Sequence, residues 1–73
     1  MDNEESVVSR LGATAQLIVR AMLADEHVTI VELSEMTRVT TQAVEKHIRN
    51  LRRLGVVWRE GSRKRGRWRV IKN

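Results

Sequence analysis

Gln42, Lys46, Arg49 and Arg53 recur every three or four residues in Thr40–Gly55, TTQAVEKHIRNLRRLG. At about 100° per residue they share one face of a helix, with Asn50 at its edge. Amide side chains can pair with adenine edges, and Arg or Lys can reach guanine. Thr41 and the unpaired amides of a helix N-terminus suit a phosphate oxygen. A second cationic group follows in Arg63, Lys64, Arg65 and Arg67. Those side chains suit a sugar-phosphate backbone or a minor groove. Glu45 interrupts the helical group, and a carboxylate among phosphates costs energy. It can accept from a cytosine amine. Pairing with Arg49 at the i,i+4 spacing is the preferred expectation.

Those side chains need a scaffold behind them. Val44, Ile48, Leu51 and Leu54 recur at the helical period and are expected to stack on the opposite, core-facing side. Thr40 is suited to cap the N-terminus through its hydroxyl. Gly55 is suited to stop the helix, because glycine takes positive φ without strain. The plain alternative is a solvated helix face with no ligand. The capped turn before this helix and the basic hairpin after it weigh against that alternative.

Other reactive side chains give less. Ser6, Ser9, Ser34 and Ser62 lack a histidine–carboxylate context, so nucleophilic catalysis is not indicated. Gly61–Gly66 lacks the Gly-Lys-Ser/Thr ending of a phosphate-binding loop and leads into a strand. We therefore expect no enzyme, no cofactor and no small-molecule ligand. His27 and His47 have neither cysteine nor a ligand-spaced carboxylate motif, so no metal is expected. His47 reads as a packed, hydrogen-bonded residue and His27 as a loop residue. Trp58 has two readings: stacking on a base or sugar, or closing a small core or subunit contact, the second being preferred.

The chain has 73 residues, 41% of them hydrophobic, which allows one small core. The absence of cysteine excludes disulfides. No long apolar run or basic-then-apolar leader is present, so neither a membrane partner nor a secretion signal is expected, and a cytoplasmic location is the default. Charge is divided unevenly. Residues 1–36 carry seven Asp and Glu against Arg10 and Arg20, a net −5, whereas residues 37–73 carry twelve Lys and Arg against Glu45 and Glu60, a net +10. Clustered cations of that number repel one another, which points to a polyanionic partner.

The elements are expected in the following order. Residues 1–12 form a partly ordered arm or the start of a first helix, which Asp2, Asn3 or Ser6 can cap, and residues 13–73 form the domain. Gly12 disfavours helix, so a start near Ala13 is reasonable. Leu11, Ala15, Ile18 and Met22 make the core stripe, with Val8 and Val19 beside it. Leu17, Ala21 and Leu23 lie off the stripe and suit either the N-terminal arm or a second subunit, hence a homodimer through helix one. Val28–Ile30 is β-branched and suits a short edge strand. Thr29 followed by Glu32 matches a capping box, so a second helix with apolar Val31, Leu33 and Met36 should begin there and end near Thr37 or Arg38. So few residues separate it from the next helix that the two must cross steeply. Val56–Glu60 and Arg67–Ile71 read as strands of a hairpin, with Trp68 and Val70 inward and Arg67 and Arg69 outward.

The sequence VTIVELSEMTRVTTQAVEKHIRNLRRLGVV resembles the helix-turn-helix run of bacterial winged-helix regulators. REGSRKRGRW is similar to the wing of winged-helix domains at the C-terminus of RecG-related helicases and of some Fic-family proteins, with the spacing Arg59-x-Gly61-Ser62-x-Lys64-x-Gly66-x-Trp68. The resemblance covers Ile18 to Ile71. Trp58 departs from it, since a polar residue is more usual there, and the wing is unusually rich in arginine. It implies an α+β winged helix-turn-helix: three helices, a small antiparallel hairpin wing and a short third strand where Val28–Ile30 pairs. It also implies a third helix in the major groove of double-stranded DNA, a wing on the neighbouring backbone, and Trp68 as a core anchor. The expected function is that of a transcriptional regulator or the DNA-docking domain of a larger protein. A protein-interaction module and an RNA or unusual-duplex binder are the competing readings. The acidic leader after Met1 suggests a complete small protein or a single excised domain.

Overall fold

A computed structural model describes residues 11–61 and 66–71 of the chain. Helices α1 (Ala13–Ala24), α2 (Ile30–Thr37) and α3 (Thr41–Arg53) precede strands β1 (Val57–Glu60) and β2 (Arg67–Val70). The expected helix caps Asp2, Asn3 and Ser6 and the core position Val8 lie outside the described residues.

Helix α1 starts at the later of its two candidate positions. Gly12 is the N-cap without a side-chain acceptor, and Gln16 steadies the entry by donating its Nε2 to the Leu11 carbonyl at 2.8 Å. Ala15, Ile18, Val19 and Met22 are buried as the stripe required, and Leu11 packs against them. Ala21 is buried too, so it belongs to the core and not to an external face. Leu17 and Leu23 remain exposed. Six residues apart on a helix, they point about 120° from one another and form no single seam.

The edge strand expected at Val28–Ile30 is absent, and the described sheet has two strands. The capping box explains this. Thr29 donates its backbone N–H to Glu32 Oε1 at 2.9 Å, and Glu32 donates its own to Thr29 Oγ1 at 3.0 Å. Tied into a helix start, Thr29 has no amide left for a ladder. The segment is instead joined to β2 at two points: Trp68 donates its backbone N–H to Glu26 O at 2.8 Å and its indole Nε1 to Val28 O at 2.9 Å. Within α2 only Leu33 is fully buried; Val31 and Met36 are exposed, contrary to expectation. A helix of eight residues presents little more than two turns, and the core claims only the Leu33 side of it.

Arg38 turns the chain between α2 and α3 in the left-handed region, at φ 61° and ψ 31°. Its N–H is held by the Ser34 carbonyl at 2.8 Å, and Ser34 Oγ donates to Val39 O across the turn. Thr40 then caps α3, accepting at Oγ1 from the Ala43 N–H at 3.1 Å.

Helix α3 buries Val44, Ile48 and Leu51. It ends in a Schellman motif: Gly55, at φ 78°, donates to Arg52 O, and Val56 donates to Leu51 O. This reversal drives Val56 into the core and leaves Leu54 57% exposed, so Leu54 drops out of the expected apolar face. Strands β1 and β2 pair antiparallel in the register Val57↔Val70, Trp58↔Arg69, Arg59↔Trp68 and Glu60↔Arg67. Trp68 is buried and Val70 half-buried, while Arg67 is exposed. The core therefore lies between the three helices and the inner face of the hairpin, and α3 shows its other side to solvent.

Candidate nucleic-acid interface

Burial of Val44, Ile48 and Leu51 fixes which way α3 faces. Thr40, Thr41, Gln42, Lys46, Arg49, Asn50 and Arg53 are all exposed along its outer side. Among the described residues no carboxylate forms an ion pair with Lys46, Arg49, Arg52 or Arg53. The expected Glu45–Arg49 pair is not formed. Both side chains are exposed, where such a pair contributes little against the entropy of fixing two long chains. Arg53 Nη2 lies 3.5 Å from Asn50 Oδ1, a long contact that leaves the Asn50 amide free to donate elsewhere.

Between α3 and the hairpin is a shallow depression of about 280 Å³, lined by Ile30, Glu45, Ile48, Arg49, Arg52 and Trp68. The Arg59 guanidinium lies 5.0 Å from the centre of the Trp68 ring, a cation–π distance. The indole is itself held by the Val28 carbonyl, so Arg59 rests on a fixed platform. Arg52 and Arg59 thus join the cationic surface; sequence reasoning has Arg59 only as a position of the wing spacing and does not single out Arg52. Strand parity could have found Arg59, since it lies two residues after the inward Val57 and opposite Trp68. The sequence places the end of α2 at Thr37 or Arg38, where it falls, but not the left-handed turn, since a left-handed residue closing a helix is usually Gly or Asn.

On the outer face of the hairpin Glu60 is a hub. Its Oε1 lies 3.8 Å from Arg69 Nε and 4.0 Å from Arg67 Nη2, and its Oε2 accepts from Trp58 Nε1 at 3.2 Å. Of the expected wing cations, Arg67 is therefore exposed but partly engaged, and Arg63, Lys64 and Arg65 lie outside the described residues. Trp58 is 40% exposed, so it does not close the core.

His47 is half-buried beside a depression of about 490 Å³ between the start of α1 and the end of α3. It makes no hydrogen bond among the described residues, contrary to expectation. His27 is exposed, with Nε2 3.6 Å from Glu26 Oε2. Asp25, Glu32 and Glu35 border a groove between α1 and α2 with Ala21, Val28 and Met36. Among the described residues, acidic Asp25, Glu26, Glu32 and Glu35 lie on or between α1 and α2, and most of the cations lie on α3 and the strands. No helix among the described residues is long and apolar enough to cross a membrane.

A tight turn between two helices, a second helix with an open cationic face and a hairpin behind it together define a helix-turn-helix with a wing. The profile of the family described as winged helix-turn-helix DNA-binding matches residues 12–57. The chain belongs to the winged helix-turn-helix DNA-binding family. No curated protein and no solved structure matches it. The match runs from the N-cap of α1 to the first residue of β1, so it covers all three helices and stops before the hairpin. As a winged helix-turn-helix the chain is a DNA-binding domain, and the family is typically non-enzymatic.

Proposed function

We propose that the domain binds double-stranded DNA with α3 in the major groove and the hairpin on the adjacent backbone. In this reading Gln42, Lys46, Arg49 and Asn50 meet base edges. Thr40, Thr41 and Arg53 meet phosphates at the two ends of α3. Arg63, Lys64, Arg65 and Arg67 follow the neighbouring strand or minor groove. Arg52 and Arg59, at the notch between helix and wing, take the phosphate that passes between them. The role is that of a transcriptional regulator or of the DNA-docking domain of a larger protein.

One observation carries the reading. The outer side of α3 is a row of amides and cations without ion pairs among the described residues, while its inner side is fully buried. A solvated helix face normally mixes both charge signs; here Glu45 is the one acidic residue in Thr41–Arg53. The test is duplex binding at about 50 mM salt, where phosphate contacts are strongest. Lys46→Ala with Arg49→Ala should weaken binding at least tenfold. Unchanged binding would remove the site assignment, and no binding by the wild-type protein would remove the function.

Self-association through α1 is a second reading, favoured by exposed Leu17. It would place two α3 helices on successive half-sites. Sedimentation showing only monomer at about 100 μM would end it.

A further inference from the structure

Apart from Arg67, the outer face of the hairpin has no place in the duplex reading. Trp68 and Val70 turn toward the core, so Trp58, Glu60, Arg67, Arg69 and Ile71 face the other way, away from α3. Trp58 is 40% exposed where its family resemblance would put a polar residue, and it lies directly opposite Arg69 in the register. The ring is not a loose hydrophobe. Glu60 holds its Nε1 with one oxygen and draws Arg67 and Arg69 to the other. An exposed indole and two arginines thus share one carboxylate on the same face.

We propose that this face is a binding site for single-stranded DNA, with an unpaired base stacked on Trp58 and the flanking phosphates on Arg69 and Arg67. The site shares Arg67 with the duplex reading but rests on Trp58 and Arg69, which that reading does not use. Flat aromatic rings beside cations are the means by which proteins hold single strands without reading sequence. Bases inside a duplex are already stacked and cannot offer a face to the ring. A second copy of the chain fits this surface poorly. A second copy would present the same net-positive patch, two arginines to one carboxylate. Four residues of a two-stranded ribbon also measure only about 13 Å by 10 Å, far short of the roughly 800 Å² per partner of a stable interface. The carboxylate does not defeat the site, because Arg67 and Arg69 together outnumber Glu60 and leave the face net positive.

The probe is a twelve-nucleotide oligothymidylate at about 50 mM salt, followed by tryptophan emission and by anisotropy of a labelled strand, with a random duplex in parallel. Wild-type protein should bind the oligonucleotide with quenching of the exposed indole. Trp58→Leu should abolish the quenching and lower single-strand affinity about five- to a hundredfold, the range for loss of one stacked base. Duplex affinity should change less than about twofold, and Trp58→Phe should retain most single-strand binding. The proposal is overturned if the oligonucleotide leaves the emission unchanged, or if Trp58→Leu binds it like wild type. Equal loss on duplex and single strand also overturns it, as does a dimer that Trp58→Leu converts to monomer. Single-strand binding without duplex binding would support this site and sink the duplex reading alone.

Discussion

Replacing Trp68 with Phe tests how the wing is held to the helices. Trp68 is 7% exposed and its Nε1 donates to the carbonyl of Val28, a residue 6% exposed. Phe keeps a ring but has no donor, so that carbonyl is left buried without the indole. An unpaired buried acceptor costs about 1–3 kcal/mol. Loss of roughly two apolar carbons from the packed ring adds about 1–2 kcal/mol. Each kcal/mol lowers the Tm of a domain this size by about 4–8 °C, so a fall of at least about 10 °C is expected. Thermal denaturation followed by circular dichroism reads it directly. Trp58→Phe is the control: exposed, and bonded only to the equally exposed Glu60, it should melt within about 2 °C of wild type. A Trp68→Phe protein melting within that same margin would show that the indole bond does not join the hairpin to the α1–α2 connection.

Two further expectations concern backbone geometry. Gly55→Ala meets no atom within 4 Å, so its cost comes from the positive φ alone. It should destabilise by about 1–2 kcal/mol in urea unfolding, and a neutral result would contradict the Schellman ending. Arg38→Gly relieves a left-handed arginine at φ 61° and should raise stability by up to about 1 kcal/mol by the same measurement. A fall in stability would mean that the arginine side chain stabilises the turn by more than its backbone costs.

The recognition helix is legible in the sequence because its signals agree. Val44, Ile48 and Leu51 set the period, Thr40 opens the helix and Gly55 closes it. Leu54 misleads because the periodicity reaches one residue beyond the helix, to a C-cap that follows its end at Arg53. Val28–Ile30 misleads because β-branched propensity competes with a capping box built on the same Thr29, and two hydrogen bonds to side-chain oxygens outweigh a weak strand preference. Met36 and Val31 look like core because they are apolar, yet a helix of little more than two turns has only one side to bury. Arg59 enters the sequence reading only as a position of the wing spacing, because its place over Trp68 depends on the register of the hairpin. The outward charges of α3 are readable from sequence, but the notch that Arg49 and Arg52 line with Trp68 exists only once strand and helix are packed.

The most direct test of the central claim is the salt dependence of duplex affinity. With about six phosphates neutralised, log affinity should fall against log salt with a slope near −5, and removing Arg52 and Arg53, the helix cations placed on phosphates, should reduce that slope by about one for each phosphate no longer neutralised. A wild-type slope near zero, or one that the double substitution leaves untouched, would contradict a cationic α3 docked on DNA.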